Sequence, residues 1–471
     1  MKKEVEVIII GAGSAGLYAL SQVRKGTDDY LLINSGPYGT TCARVGCMPS
    51  KSLIRISEYY HDRLDFEKSG IKHSDALEVS IPDVLQRVRD QRDFLVNQNI
   101  NHSITRLGDK VLTGKAEFID ANTLKVGDDE IRAKKIIIAT GSSPVFDPAW
   151  EAFKEHILTT DELFEQKDLP PTLGVLGLGV IGLELGQALS RLGIKVTAVH
   201  SQEFIGGLSD PDVNKVMIEL CKKEFDIWLG ARAQLSKVGD KIKIKSADRE
   251  VFVDKVLVSI GRKPNLDALK LENLGVDLDK RGMPNFDPHT MQIEDLPIYF
   301  AGDVNADRPL LHEAADEGRI AGYNVVHTQK TFKRKVPLAV VFTDPNIAFV
   351  GKDYKDIKDD DNVFIGSYNF QNQGRAMLMN KNVGIVNLYV QKSDAKLLGA
   401  QIAVPGGEYL AHHIAWAMEH ELTVYDMLQL PFYHPTLEEG LYMLLLDCIK
   451  KIGIKKDGIV EVPFLESDNS K

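Results

Sequence analysis

One unit occurs twice in this chain, and it constrains the fold more than any other feature. Residues 5–10 (VEVIII) are short, apolar and β-branched, as a buried parallel strand is, and they run straight into Gly11-Ala-Gly13-Ser-Ala-Gly16. A helical pattern follows through Leu17, Leu20 and Val23, then a second apolar strand, Tyr30 to Ile33, ending at Asn34. Residues 173–176 (LGVL), Gly177-Leu-Gly179-Val-Ile-Gly182, a helix through Leu183, Leu185 and Leu189, and the strand 195–199 (KVTAV) repeat that order and end at His200. Gly11 and Asn34 are 23 positions apart, and so are Gly177 and His200. In such a turn the first glycine permits the tight bend, the second lets backbone approach a pyrophosphate, and the third lets helix and strand pack closely. The helix N-terminus then offers free N–H groups and the positive end of its dipole. A single glycine fingerprint is weak; two in matching context predict two dinucleotide sites, a flavin and a nicotinamide cofactor. Two Rossmann-like folds without ligands are the plainer alternative.

Both copies lack the acidic residue that usually ends the second strand and binds the ribose hydroxyls. Asn34 can hydrogen-bond a diol without charge. His200, followed by Ser201, can tolerate or bind a 2′-phosphate, or be a plain surface residue. The sequence therefore leaves NADH against NADPH open. Two further segments repeat as strands feeding glycine turns, Lys134 to Thr140 before Gly141 and Lys255 to Ile260 before Gly261. A third, Ile298-Tyr-Phe-Ala-Gly302-Asp303, places a carboxylate after a strand, either to hold a polyol or to cap a helix.

Composition narrows the class. At 471 residues the chain has room for about three domains. A net charge of −10 argues against nucleic acid or an anionic membrane as partner. Four cysteines are too few for a secreted disulfide scaffold. No apolar run reaches the roughly 18 residues of a membrane span. The basic Met1-Lys2-Lys3 start is interrupted by Glu4 and Glu6, so no secretion signal is expected and the location expected is cytoplasmic.

Two of the cysteines stand five apart in Gly39-Thr-Thr-Cys42-Ala-Arg-Val-Gly-Cys47-Met-Pro-Ser-Lys51, soon after the first dinucleotide unit. A zinc site needs two further ligands nearby. Cys221 and Cys448 are distant, in apolar helical settings, and read as buried small hydrophobes. The paired His412-His413 would point apart on a helix, so no metal site is expected. The glycines, Pro49, Arg44 and Lys51 predict a turn with an accessible thiolate. Such a pair can close a disulfide and reopen by exchange with a substrate dithiol.

Further motifs run the length of the chain: ATGSSP at 139–144, GLGVIGLELG at 177–186, GRKPN at 261–265, AGDV at 301–304, FTDPNIAFVG at 342–351 and HPTLEE at 434–439. With GAGSAG at 11–16 and TCARVGCMPSK at 41–51, these resemble the flavoprotein disulfide reductases, the class I pyridine nucleotide-disulfide oxidoreductases. Within that family they look most like the dihydrolipoamide dehydrogenases. The resemblance implies an α/β fold of two Rossmann-like dinucleotide-binding domains plus an α+β C-terminal dimerisation domain. It places an FAD-binding domain at 1–145 and 265–335, an NAD(P)-binding domain at 146–264, the dimerisation domain at 336–455 and a charged tail at 456–471.

The resemblance also implies roles. Cys42 would be the interchange thiol, and Cys47 would face the flavin as a charge-transfer thiolate. Lys51 and Glu184 would pair near the reactive edge of the isoalloxazine. Gly11, Gly13, Gly16 and Asn34 would hold FAD, with Gly114 and Ala116 at its adenine. Thr140 and Gly141 would line the flavin side, and Asp303 would bind the ribityl chain or phosphate. Gly177, Gly179, Gly182, His200 and Gly261 would hold NAD, or NADP. His434 would be the acid/base, oriented by Glu439. The expected reaction is oxidation of dihydrolipoamide with reduction of NAD+, by a homodimer serving the lipoyl domain of a 2-oxo acid dehydrogenase complex. The alternatives are an NADPH-dependent reductase of a small disulfide, such as glutathione disulfide, and a non-catalytic binding component of such a complex.

Overall fold

The computed structural model describes residues 2–452. The expected charged tail, 456–471, and the last residues of the expected C-terminal domain lie outside them. The described residues divide into two compact units, one of 2–56, 79–169 and 257–334, the other of 57–78, 170–256 and 335–452.

The first unit is built on β1 (Lys2–Ile10), α1 (Ser14–Gly26) and β2 (Tyr30–Asn34). After α2 (Thr41–Val45), α3 (Cys47–His61) and α4 (Ile81–Ser103) come β3 (Val111–Thr113), β4 (Ala116–Asp120), β5 (Thr123–Val126) and β6 (Asp129–Ile138). The sheet order is β3-β2-β1-β6-β5-β4, and strand Ile298–Phe300 also pairs with β6. β1 runs parallel to both β2 and β6, with Ile10 opposite Ile33 and Ile138. Both faces of β1 are covered. Ile8 and Ile10 face a core with Phe118, Leu124 and Phe300, while Val7 and Ile9 face α1 and helix Leu311–Val326 through Ala19, Leu20, Ile320 and Ala321. Each such side chain contributes roughly 1.5–3 kcal/mol on burial, which is why this strand reads as unbroken aliphatic sequence instead of alternating. The strand order reverses direction between β1 and β6. The crevice at their carboxyl ends is where sheets of this kind bind ligands, and both the Gly11 loop and Ala139 lie there.

The second unit holds the second copy. Strands Asp226–Trp228, Lys195–Val199 and Thr172–Leu176 lie side by side in parallel, and helix Val180–Arg191 follows the glycine turn. A three-stranded antiparallel sheet spans Gln234–Val253. The remaining part is a five-stranded antiparallel sheet in the order Leu338–Val341, Asn346–Gly351, Leu397–Val404, Ile385–Gln391, Val363–Asn369. Helices Gly407–Glu419 and Glu439–Ile452 pack Leu410, Ile414, Leu441 and Leu444 against Leu388 and Ile402 of that sheet. The fold is thus α/β, with Rossmann-like parallel sheets and an antiparallel C-terminal part, as the sequence implies.

Candidate active site

The first glycine loop is shaped by what a side chain would meet. Gly11 has φ +110°, and a Cβ there would lie 2.2 Å from the Ala139 carbonyl oxygen. A Cβ on Gly16 would lie 1.9 Å from the Gly11 carbonyl oxygen. At Gly13, by contrast, a Cβ meets nothing within 4 Å. Gly13 is also the N-cap of α1, and no side chain caps the helix. The loop is therefore packed tightly from behind and bare in front, with the first amides of α1 left for a ligand. These residues fit the pyrophosphate of a dinucleotide. Gly114, expected at the adenine end, donates its N–H to the Asn34 carbonyl at 3.0 Å, and Ala116 is buried in β4.

The redox segment departs from the expected turn. Cys42 lies within α2, and Cys47 is the first residue of α3, with Gly46 between the two helices. Pro49 is accommodated because the first turn of a helix has no need of its N–H. Both cysteines are partly exposed and present as thiols. A hydrogen bond to Cys47, then burial, then the charge of Cys47 push the Cys42 thiol far up, while Lys51 acts in the opposite direction. Cys47 opens α3, where the helix N-terminus favours negative charge. Cys221 and Cys448 are fully buried. Burial pushes the Cys448 thiol up to about 12.

Asp303 is not a helix cap: it follows Gly302, the N-cap of a short helical turn. Its Oδ2 accepts from Ser142 Oγ at 2.9 Å, and Arg262 Nε donates to the same hydroxyl at 2.8 Å. Thr140 and Gly141 are tied to Asn265, whose Nδ2 donates to the Thr140 carbonyl at 2.9 Å and whose N–H donates to the Gly141 carbonyl at 2.9 Å. Gly261 (φ +125°) lies in this first unit, and its carbonyl accepts from Val145 N at 3.0 Å. One residue that holds this region went unnoticed in the sequence. Glu317, fully buried, accepts from Gly302 N and Asn305 Nδ2, each at 2.7 Å, and pairs with Arg334 at 2.8 Å. Burial pushes its carboxyl up, against the pull of the Gly302 N–H and Arg334. The available signal was its place beside Ala314 and Ala321 on the apolar face of a helix.

The second loop repeats the first. Gly177 has φ +90°, and Gly179 caps its helix without a side-chain bond, with open space where a Cβ would point. Gly182 is buried in that helix. Both strand-end residues turn back onto their own loops. Asn34 Oδ1 accepts from Ala12 N at 3.1 Å, and His200 Nδ1 accepts from Leu178 N at 3.2 Å. Burial lowers the His200 pKa, while the Phe204 backbone works the other way. Glu184, in the second unit, accepts from Phe342 N at 2.8 Å. Lys51, its expected partner, lies in the first unit.

The His434–Glu439 pair is formed. His434 Nδ1 stands 2.9 Å from Glu439 Oε1, and Thr436 N donates to Oε2 at 3.1 Å. The His434 ring is 80% exposed. Its bond holds the Glu439 carboxyl below the usual range, helped by the Thr436 amide and opposed by burial.

Residues 5–318 match the family described as pyridine nucleotide-disulphide oxidoreductase, and residues 337–444 match its dimerisation domain. The chain is 32% identical over 453 residues to a dihydrolipoyl dehydrogenase of Geobacillus stearothermophilus, covering 93% of this chain and 94% of the relative. It is 29% identical over 465 residues to a mercuric reductase of Staphylococcus aureus, covering 96% and 83%. Among solved structures, the Cu(II) complex of the HOCl-induced flavoprotein disulfide reductase RclA from Escherichia coli superimposes with a TM-score of 0.83 at 25% identity, covering 94% of this chain and 99% of that one.

Proposed function

The chain belongs to the pyridine nucleotide-disulphide oxidoreductase family, and from that premise we propose that it moves an electron pair between dihydrolipoamide and NAD+ by way of Cys42 and Cys47. It is a flavoprotein disulfide oxidoreductase; the family binds FAD and a pyridine nucleotide, and the domain at 337–444 implies a homodimer. The observation that carries the reading is the pair itself: two partly exposed thiols five residues apart, the second opening a helix.

FAD, when bound, supplies a two-electron acceptor for the dithiol and a donor for NAD+. Gly11, Gly13 and Gly16 would hold its pyrophosphate, and Asp303 its polyol chain. The chain's own residues perform the sulfur chemistry. A substrate thiolate attacks Cys42 Sγ of the oxidised pair, the Cys42–Cys47 bond breaks, and Cys47 leaves as thiolate. The second substrate thiol displaces Cys42, which leaves as a thiol, and the substrate disulfide closes. Of the two substrate protons one ends on Cys42 and the other on the ring of His434, the general base. The lipoyl domain of a 2-oxo acid dehydrogenase complex is the substrate carrier in this reading. The working division is FAD-binding 1–145 and 265–335, NAD-binding 146–264 and dimerisation from 336. Among the described residues no helix is long and apolar enough to cross a membrane; the location we propose is cytoplasmic.

A thiol relay for mercury calls for a second accessible cysteine pair, and the two remaining cysteines are buried. A steady-state comparison of lipoamide with glutathione disulfide, each with NADH and with NADPH, tests the reading. Lipoamide with NADH should give the highest specificity constant. Glutathione disulfide with NADPH in first place would replace this reading by the small-disulfide alternative. A protein that turns over neither would leave only the binding-component alternative.

A further inference from the structure

The two strand-end residues make the same bond to their own glycine loops. Asn34 Oδ1 accepts from Ala12 N at 3.1 Å, and its Nδ2 donates to the Gly36 carbonyl at 2.6 Å. His200 Nδ1 accepts from Leu178 N at 3.2 Å, while the Phe204 backbone works against the burial that lowers the ring's pKa. In each copy the amide belongs to the residue between the first two glycines, 22 positions before the side chain. Asn Oδ1 and His Nδ1 sit at the same reach, one atom past Cγ. Both side chains offer one acceptor and one donor when neutral, whereas a carboxylate only accepts. A carboxylate in place of Asn34 could hold the loop amide but would face the Gly36 carbonyl with no proton to give.

We propose that His200 is a positioning residue, tying the glycine loop of the nicotinamide nucleotide site to the segment that follows the strand, and that it does not read the 2′ position of the adenosine ribose. This rests on the reading of the second glycine loop as the nicotinamide nucleotide site. The rest of the local geometry agrees. The Leu178 carbonyl accepts from Gly206 N at 2.7 Å, so both backbone groups of Leu178 are held by the 200–206 segment. The Leu178 side chain is fully buried. His200 N in turn donates to the Trp228 carbonyl at 2.8 Å, fixing the ring's base on the neighbouring strand. The Nδ1 bond requires the ring to be unprotonated at that atom. The glycine loop, residues 177–182, carries no charged residue, Glu203 stands on the ring's own segment, and Asp226 begins the neighbouring strand. No ionised side chain contributes to the ring's shift.

The test is equilibrium binding of ADP-ribose and 2′-phospho-ADP-ribose to the FAD-loaded dimer. His200→Ala should weaken both by the same factor, about three- to tenfold for one lost bond, leaving their ratio unchanged. His200→Asn should restore both. Wild-type affinity for ADP-ribose should fall as pH drops through the lowered His200 pKa, and that of His200→Asn should not. A changed ratio in His200→Ala, unchanged affinities, or no rescue by Asn would overturn the assignment. If His200→Ala does not fold, as judged by flavin content, the pH profiles of wild type and His200→Asn decide alone, and coincident profiles overturn it. A wild-type protein that binds neither compound overturns the nucleotide reading beneath it, a result distinct from the others.

Discussion

The imidazole of His434 donates through Nδ1 to Glu439 Oε1 across 2.9 Å, which leaves Nε2 as the acceptor on the exposed side of the ring. The tautomer follows from the charge of the partner: the bond holds Glu439 ionised below the usual carboxylate range. A base so oriented can take up the proton of the attacking substrate thiol. His434→Ala should lower turnover by roughly a hundredfold or more at neutral pH. Its residual rate should climb with pH, as hydroxide takes over a proton the protein no longer removes. Glu439→Gln should cost less. A depressed carboxylate gives its support above its ordinary pKa and loses it only as pH falls through the lower, folded value. The His434 orientation should therefore persist through pH 5, read from the ring's chemical shifts.

Gly13 and Gly179 separate binding from folding. A Cβ at either meets no protein atom within 4 Å. Gly13→Val should fold with an unaltered far-ultraviolet spectrum yet purify without flavin. Gly179→Val should keep its flavin and show a raised KM for nicotinamide nucleotide at unchanged lipoamide KM. Gly16→Val should instead fail to fold, because the Gly11 carbonyl oxygen occupies the space. Gly13→Val retaining full flavin would contradict the site.

The sequence made the glycine loops, the cysteine pair and the His434–Glu439 pair legible. The loops and the cysteine pair are local, or sit at a fixed spacing from a strand end, so periodicity and residue chemistry suffice; the His434–Glu439 pair follows from the family resemblance. What stayed hidden is long-range. Glu317 reaches the Gly302 loop only once its helix packs, and Ser142 reaches Asp303 across 161 residues. The redox segment was misread as a turn because Gly46 and Pro49 punctuate it, yet a proline in a first helical turn is compatible with α3. His200 and Asn34 were legible as strand ends, but the direction of their side chains was not.

A buried ion network that the sequence did not announce should govern stability. Arg191, 5% exposed, bonds Glu224 at 2.6 Å and Asp344 at 3.1 Å, and Lys381 joins Asp344 at 3.1 Å. Burial alone would raise the Asp344 carboxyl, but Lys381 and Arg191 outweigh it and lower the pKa. Arg191→Met leaves Glu224 without its cation and Asp344 with Lys381 alone, and should cost about 3 kcal/mol in denaturant unfolding. The wild-type contribution of Asp344 is present above its unfolded pKa and should be lost as pH falls through the lower, folded one. An unchanged midpoint in Arg191→Met would refute this.

Sharing of sites between subunits is the next expectation, since Cys42 and His434 are nearly 400 residues apart and His434 lies in the dimerisation domain. Cys42→Ala and His434→Ala, co-expressed and isolated as the mixed dimer, test it. If each His serves the partner's cysteines, one site carries both defects and the other none. About half the wild-type activity should then return. A dead mixed dimer would show that His434 serves its own subunit.

The central claim is that Cys42 and Cys47 are the sulfur couple between nicotinamide nucleotide and disulfide substrate. Anaerobic alkylation of the holoprotein before and after NADH, read by peptide mass, measures this directly. The oxidised protein, denatured before alkylation, should react at Cys221 and Cys448 alone, and NADH should add Cys42 and Cys47 together. Cys42→Ala should show Cys47 alkylated in both states and no lipoamide turnover. Labelling of Cys42 and Cys47 that is the same with and without NADH, in a protein that still turns over lipoamide, would contradict the account.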